Sequence, residues 1–244
     1  MVELLDPQPG EAILEVASGF GDTGFLAAPR LEPGGTLVST DAAPEMVAAA
    51  ERRAAELGLE GVSFGVEDAA LLTLADEAFD GVLCRWGLML VPEMDSAARE
   101  MHRVLRPGGR AAIAVWAEPD RNDWMTAAGR AAVELGLMER PDPEAPGPFR
   151  LAGEGRLAAV LEGAGFGVPT VEDVTMTWRA PSLDEWWATV RDMSPTTGAL
   201  LERVGHERGR ALQEAAAGRL AKYVAPDGTL EVPSVARVAL ATKS

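Results

Sequence analysis

An apolar run, Ile13-Leu14-Glu15-Val16-Ala17-Ser18, leads directly into Gly19-Phe20-Gly21-Asp22-Thr23-Gly24 and from there into a helical pattern. A short strand feeding a glycine turn that opens a helix is the first half of a β-α-β unit. The glycines permit a tight turn and leave room for a ligand to approach the backbone. Few architectures begin this way, and the rest of the chain has to be compatible with it.

The same alternation continues. Ala12–Ala17, Thr36–Thr40, Val62–Val66, Gly81–Trp86 and Ala111–Trp116 read as five strands, each bounded by turn residues. Between them, Pro44 opens a helix over Glu45–Leu57 that closes at Gly58, and Asp95 reads as the N-cap of a helix over Ser96–Leu105. That second helix stops at Pro107-Gly108-Gly109. Buried strands alternating with helices predict a parallel sheet covered on both faces, with ligands at the carboxyl ends of the strands.

The second half is less regular. Helices are expected over Asn122–Leu137 and Gly155–Ala164, with the Pro-rich loop Pro141–Pro148 between them. Val171–Trp178 and Ala236–Thr242 alternate as strands and flank a mostly helical insert, roughly Ser182–Ala225. The expectation is α/β: a Rossmann-like, doubly wound, mostly parallel seven-stranded sheet with a mostly helical lid or insert. Residues 1–244 then form a single domain. Its core is 1–117, the substrate lid about 118–150 and 182–230, and the last strands 171–178 and 236–242.

Composition removes several function classes. Hydrophobic residues at 47% and charged residues at 25% are globular proportions, which excludes a fibrous or disordered chain. The formal charge of −16 disfavours a nucleic-acid partner or a polybasic membrane anchor. Two histidines and one cysteine leave little for a zinc site and nothing for an internal disulfide. The amino terminus lacks a basic stretch followed by an apolar one, and no apolar run approaches the roughly 18 residues of a membrane span. A cytoplasmic protein without membrane insertion is expected. The sequence leaves the oligomeric state open.

Two acids sharpen the glycine loop. Asp41 ends the second strand, twenty residues beyond Gly21, where a carboxylate can accept both hydroxyls of a ribose. Glu15 sits inside the first strand, where an acid would interfere with a pyrophosphate but would help to hold an ammonium group. By itself the loop serves dinucleotides and other adenosyl ligands alike.

Five ordered blocks carry a resemblance. They are Ile13–Gly24, Ser39-Thr40-Asp41-Ala42-Ala43-Pro44-Glu45-Met46, Glu67-Asp68-Ala69, Phe79–Met89 and Arg103–Gly109. Together they resemble class I S-adenosylmethionine-dependent methyltransferases, in particular the ubiquinone/menaquinone-biosynthesis methyltransferase-like branch. Glu15, Ser18 and Phe20 depart from the commoner residues of that branch, so the resemblance speaks to the methyl donor and not to a quinone substrate. It implies S-adenosyl-L-methionine as cofactor and binding by Glu15, Ala17, Ser18, Gly19, Gly21, Asp41, Ala42 and Met46. Glu67, Asp68 and Ala69 would contact the adenine, and Arg85 and Trp86 would face the methionine moiety.

The expected reaction is in-line methyl transfer to a small, partly apolar molecule, achieved mainly by positioning. A catalytic base is not identified. His206, Tyr223 and Arg85 are the only candidates, and Val204-Gly205-His206-Glu207-Arg208 reads equally as an exposed helix end. His102 reads as structural. No metal is expected, because the fourth strand ends without a carboxylate and Glu118 with Asp120 does not make a divalent site. Trp124, Trp178, Trp186 and Trp187 fall outside the five-strand core, and collectively suggest an apolar pocket over the methyl donor. Two other readings stay open, a non-catalytic adenosyl-ligand binding protein and a nicotinamide-dependent dehydrogenase.

Overall fold

A computed structural model describes residues 1–244, the side chain of Pro195 excepted. Seven strands form one sheet: β1 (Ala12–Val16), β2 (Thr36–Asp41), β3 (Val62–Val66), β4 (Phe79–Arg85), β5 (Leu105–Trp116), β6 (Thr170–Ala180) and β7 (Leu230–Thr242). Their spatial order is β3-β2-β1-β4-β5-β7-β6. Pairings of β1 with β2 and β4, of β2 with β3, and of β4 with β5 are all parallel. The sheet is thus a mostly parallel, Rossmann-like one, as the alternation predicts. Strand order reverses between β1 and β4, and that crevice is where open α/β sheets take their ligands.

The chain divides into two compact units. The first comprises Met1–Trp116, Glu144–Asp173 and Arg237–Ser244. It contains α1 (Val2–Leu5), α2 (Gly24–Ala27), α3 (Pro44–Leu57), α4 (Met94–Val104) and α6 (Arg156–Gly163). The apolar positions of these elements meet in a buried cluster that includes Leu5, Ile13, Phe25, Leu31, Leu37 and Leu83. Removing that surface from water is the dominant favourable term, at roughly 25 cal/mol per Å² of apolar area. It also fixes the carboxyl end of β1 next to those of β2 and β4.

Several boundaries differ from expectation: β7 already starts at Leu230 rather than Ala236, and α4 and β5 differ as well. Helix α4 begins at Met94, so Asp95 lies inside its first turn, where it favours the helix dipole but does not cap. Strand β5 begins at Leu105, and the expected turn Pro107-Gly108-Gly109 lies inside it. The pairing jumps from Phe79↔Leu105 to Gly81↔Arg110, which makes this segment a bulge. Lys243 pins it: Gly108 N–H donates to Lys243 O at 2.8 Å, and Lys243 N–H donates to Gly109 O at 2.9 Å.

The second unit comprises Ala117–Pro143 and Val174–Ala236, with α5 (Asp123–Glu134), α7 (Leu183–Met193) and α8 (Pro195–Leu220). Ser182 caps α7 by accepting from Glu185 N–H at 3.2 Å. Helix α8 breaks at Gly205, whose φ of 77° leaves the helical region. The tryptophans expected to line a pocket are instead packed on one another. Trp124 stacks on Trp178 with ring centroids 4.9 Å apart, Trp186 Nε1–H donates to Trp124 O at 2.9 Å, and Trp124, Trp186 and Trp187 are buried. They form the core of this unit, because such large rings gain most where water is excluded from both faces. No helix among the described residues is long and apolar enough to cross a membrane.

Candidate active site at the ends of β1, β2 and β4

Beyond Val16 the chain leaves the sheet through Ala17 at φ 54°, Gly19 at φ 54° and Gly21 at φ 79°. Ala17 adopts this left-handed conformation without the freedom of a glycine, a strain of the kind concentrated at functional loops. Ser18 N–H continues the ladder onto Thr40 O at 2.9 Å. Gly19 N–H then donates to the Asp41 carboxylate at 2.9 Å, whose other oxygen accepts from Ala43 N–H at 3.0 Å. Asp41 therefore ties the glycine loop to the start of α3, while each of its oxygens keeps a further lone pair.

Glu15 is buried beneath the loop at 2% exposure. One oxygen accepts from Gly24 N–H at 2.7 Å and the other from Ser39 Oγ–H at 3.2 Å. Burial outweighs these bonds and pushes its pKa up to about 7. Where the sequence suggested a group facing a ligand ammonium, the side chain is turned inward, onto the first amide of α2.

The remaining predicted residues gather at the same end of the sheet. Ala42 and Met46 stand before and within the first turn of α3, Ala42 exposed and Met46 half-buried. Glu67 accepts from Thr73 N–H at 2.8 Å and from Thr73 Oγ–H at 2.6 Å, and Asp68 caps its own turn by accepting from Ala70 N–H at 2.9 Å. Ala69 is buried.

At the end of β4, Trp86 takes a φ of 60° and stacks on Trp116 with centroids 4.3 Å apart. Arg85 lies 4.4 Å over the Trp86 ring. The ends of β1 and β4 touch so closely that a Cβ on Gly87 would fall 2.4 Å from the Ala17 Cβ. At this corner two buried polar atoms, Ser18 Oγ and Trp86 Nε1, have no hydrogen-bond partner among the described residues. Leaving such groups unmade costs roughly 1–3 kcal/mol each, so a ligand that satisfies them is favoured.

Sequence reasoning missed the group that braces the loop. Asp22 pairs with both Arg53 of α3 and Arg85, the latter at 3.1 Å, and Arg53 also donates to Phe20 O at 3.1 Å. The only signal is an acid at a variable position of the glycine motif. His206 and Tyr223 both belong to the second unit. His206 is exposed beside the break in α8, and Tyr223 Oη–H donates to the Asp123 carboxylate at 2.8 Å. His102 packs edge-on against Phe166, with centroids 5.0 Å apart. Its pKa is lowered, first by burial. No cluster of three His, Cys, Asp or Glu able to hold a metal occurs among the described residues.

Comparison with known proteins gives this arrangement a context. A family described as a methyltransferase domain matches residues 7–132. The nocamycin O-methyltransferase of Saccharothrix syringae is 34% identical over 69% of this chain and 58% of its own length. The ubiquinone/menaquinone biosynthesis C-methyltransferase of Bradyrhizobium diazoefficiens is 41% identical over 45% of each chain. The matches thus span about half the length of these relatives. Among solved structures, the YcgJ protein of Bacillus subtilis superposes with a TM-score of 0.64 at 19% identity, over 100% of this chain and 96% of that one. At that identity the likeness concerns the fold.

Proposed function

The chain belongs to the methyltransferase domain family, and from that premise we propose that it transfers a methyl group from S-adenosylmethionine to a small molecule. The observation that carries the proposal is the Asp41–Gly19 bond between the ends of β2 and β1, next to the strand-order reversal, which brings a carboxylate to the lip of a glycine loop.

The residues present fit this donor. Asp41 has lone pairs left for two ribose hydroxyls, and the left-handed turns at Gly19 and Gly21 keep side chains out of the approach to the loop. Glu67, Asp68 and Ala69 would border the adenine. Ser18 Oγ and Trp86 Nε1 offer donors left unused among the described residues. Glu15 is better suited to shaping the loop than to touching the ligand, since it is buried beneath the loop and turned onto Gly24 and Ser39.

Bound there, the donor supplies an electrophilic methyl carbon on a sulfonium. The protein's contribution is then to hold the acceptor in line with that carbon, and positioning of this kind is worth of order 7–11 kcal/mol. It also keeps water from the corner floored by Trp86 and Trp116.

Calorimetry with S-adenosylhomocysteine tests the proposal. Wild type should bind, and Asp41→Ala should bind about tenfold or more weakly. A wild type that ignores S-adenosylhomocysteine yet binds NADH in a fluorescence titration would sink the reading in favour of a dehydrogenase. Binding without turnover across a metabolite panel would favour a non-catalytic adenosyl-ligand protein.

A further inference from the structure

The segment between β3 and β4 carries Glu67, Asp68 and Ala69, the residues proposed to border the adenine, and contains no helix or strand. Its front half closes on itself: Glu67 accepts from Thr73, Asp68 pairs with Leu71 in an isolated bridge, and Glu67 N–H reaches back to Asp41 O at 3.1 Å. Its back half, from Leu72 to Asp76, is held by a residue on α4. Ordering a loop of this kind costs conformational entropy. A ligand that met it out of shape would lose affinity in proportion to the time it spends so.

Arg103, in the last turn of α4, aims its guanidinium into this back half. Nη1–H donates to Leu74 O at 2.8 Å and to the Asp76 carboxylate, and Nη2–H donates to Leu72 O at 2.9 Å and to Glu100 Oε2 at 2.7 Å. Nε–H donates to Glu100 Oε1 at 2.9 Å, so all five donors of the fork are engaged. Glu100 completes the clamp by accepting from Leu72 N–H at 2.9 Å. The backbone of the same turn continues it: Arg103 O accepts from Glu77 N–H at 3.1 Å and Val104 O from Ala78 N–H at 2.9 Å. Glu77 stands at φ 52°, a left-handed turn that these bonds hold in place. A guanidinium that bonds two main-chain carbonyls fixes a backbone shape, which a charge pair alone does not.

We propose that Arg103 is a positioning residue for the methyl donor: by gathering Leu72 O, Leu74 O, Asp76 and Glu100, it holds the Glu67–Asp76 loop in the shape that reads the adenine. The inference rests on the methyltransferase reading above. With every donor engaged by the chain, Arg103 acts through the loop and not on the ligand. The loop is set before the donor arrives, so binding does not have to order it.

The test titrates the full chain by calorimetry with S-adenosylhomocysteine and with S-inosylhomocysteine, which carries an oxygen where the adenine has its 6-amino group. Wild type should prefer the adenine ligand by at least about tenfold, because a loop of carboxylates accepts from an amino group and repels a carbonyl. Arg103→Lys keeps the charge at the end of α4 but not the planar fork, and should bring that preference to within about threefold. A loss of stability alone would lower the folded fraction for both ligands alike and leave their ratio unchanged. If Arg103→Lys does not fold, Glu100→Gln, which replaces one carboxylate oxygen of the clamp with an amide, reads the same ratio and should lower it. A folded variant that keeps the wild-type ratio overturns the proposal. So does a wild type that binds both ligands equally, since the loop would then not read the base. Failure of wild type to bind S-adenosylhomocysteine removes the methyltransferase reading itself, a result distinct from either.

Discussion

The carboxylate of Glu15 and the backbone of Gly24 are in direct contact: Glu15 Oε1 accepts from Gly24 N–H at 2.7 Å, and a Cβ on Gly24 would lie 2.3 Å from Glu15 Oε2. Strand and helix can approach this closely only because Gly24 has no side chain. The third glycine of the loop is thus a packing residue, and the acid of β1 is the group it packs on.

Gly24→Ala should therefore be destabilising although the new residue is a good helix former. The Cβ would also meet Leu37 Cδ2 at 3.0 Å, so Glu15 has little room to withdraw. Overpacking of this kind costs about 1–3 kcal/mol. For a chain of this length that lowers Tm by about 2–12 °C. Thermal unfolding followed by circular dichroism checks it, and an unchanged Tm would contradict the contact.

Glu15 also makes stability depend on pH. Its folded-state pKa of about 7 lies above the ordinary glutamate value of 4.5, because burial penalises the charge. Between those values the folded chain holds a proton that the unfolded chain has released. Raising the pH through this window therefore lowers stability, and above pH 7 the folded state bears the full cost of the buried carboxylate. Glu15→Gln has no proton to lose. Relative to wild type its stability should rise as pH increases from about 4.5 to 7, by about 3 kcal/mol at most. A difference that stays flat across the window would show that Glu15 is ionised throughout.

How much of this was legible in the sequence depended on the range of the interaction. The cores of β1 to β5 follow from local apolar runs bounded by glycine and proline, and Val62–Val66 coincides with its strand. The start of β5 was hidden because Pro107-Gly108-Gly109 carries every local mark of a turn. What draws it into the sheet is Lys243, more than a hundred residues away. Asp22 and Arg53 are unremarkable as letters, one in a loop and one on a helix, and only the fold makes them partners. The acid at Glu15 was visible, but its burial was not. A side chain that points up to a ligand and one that points down to a helix amide have the same spelling.

Asn122 illustrates the same limit and yields a prediction. It stands at the start of α5, as the sequence suggests, but it is also fully buried and clamps Val235 from both sides. Its Oδ1 accepts from Val235 N–H at 3.1 Å, and its Nδ2 donates to Val235 O at 3.0 Å and Ala117 O at 3.2 Å. Asn122→Ala leaves the Val235 amide unpaired, at about 1–3 kcal/mol. Asn122→Asp should be worse at neutral pH, because a carboxylate would face the carbonyl oxygens of Ala117, Glu118 and Val235 in place of the amide donor. It should recover partly in acid, where a protonated carboxyl regains one donor. Thermal melts of both variants at mildly acid and mildly alkaline pH check the order, and an aspartate milder than alanine at neutral pH would contradict the clamp.

The last prediction concerns the chain's single cysteine. Cys84 lies in the middle of the sheet on β4, fully buried, and burial pushes its thiol pKa up to about 12. Thiolate is the reactive form, and here it is both scarce and shielded. The folded protein should therefore resist Ellman's reagent at mildly alkaline pH, whereas the unfolded chain in concentrated guanidinium should release one equivalent of chromophore, its full complement of thiol. Because β4 sits between β1 and β5, exposing Cys84 requires the sheet itself to open. The rate of labelling thus reports the opening of the β1–β4 crevice where the methyl donor is proposed to bind. S-adenosylhomocysteine should slow it by the factor that its occupancy predicts. Rapid labelling of the native chain, indifferent to S-adenosylhomocysteine, would place Cys84 outside the core.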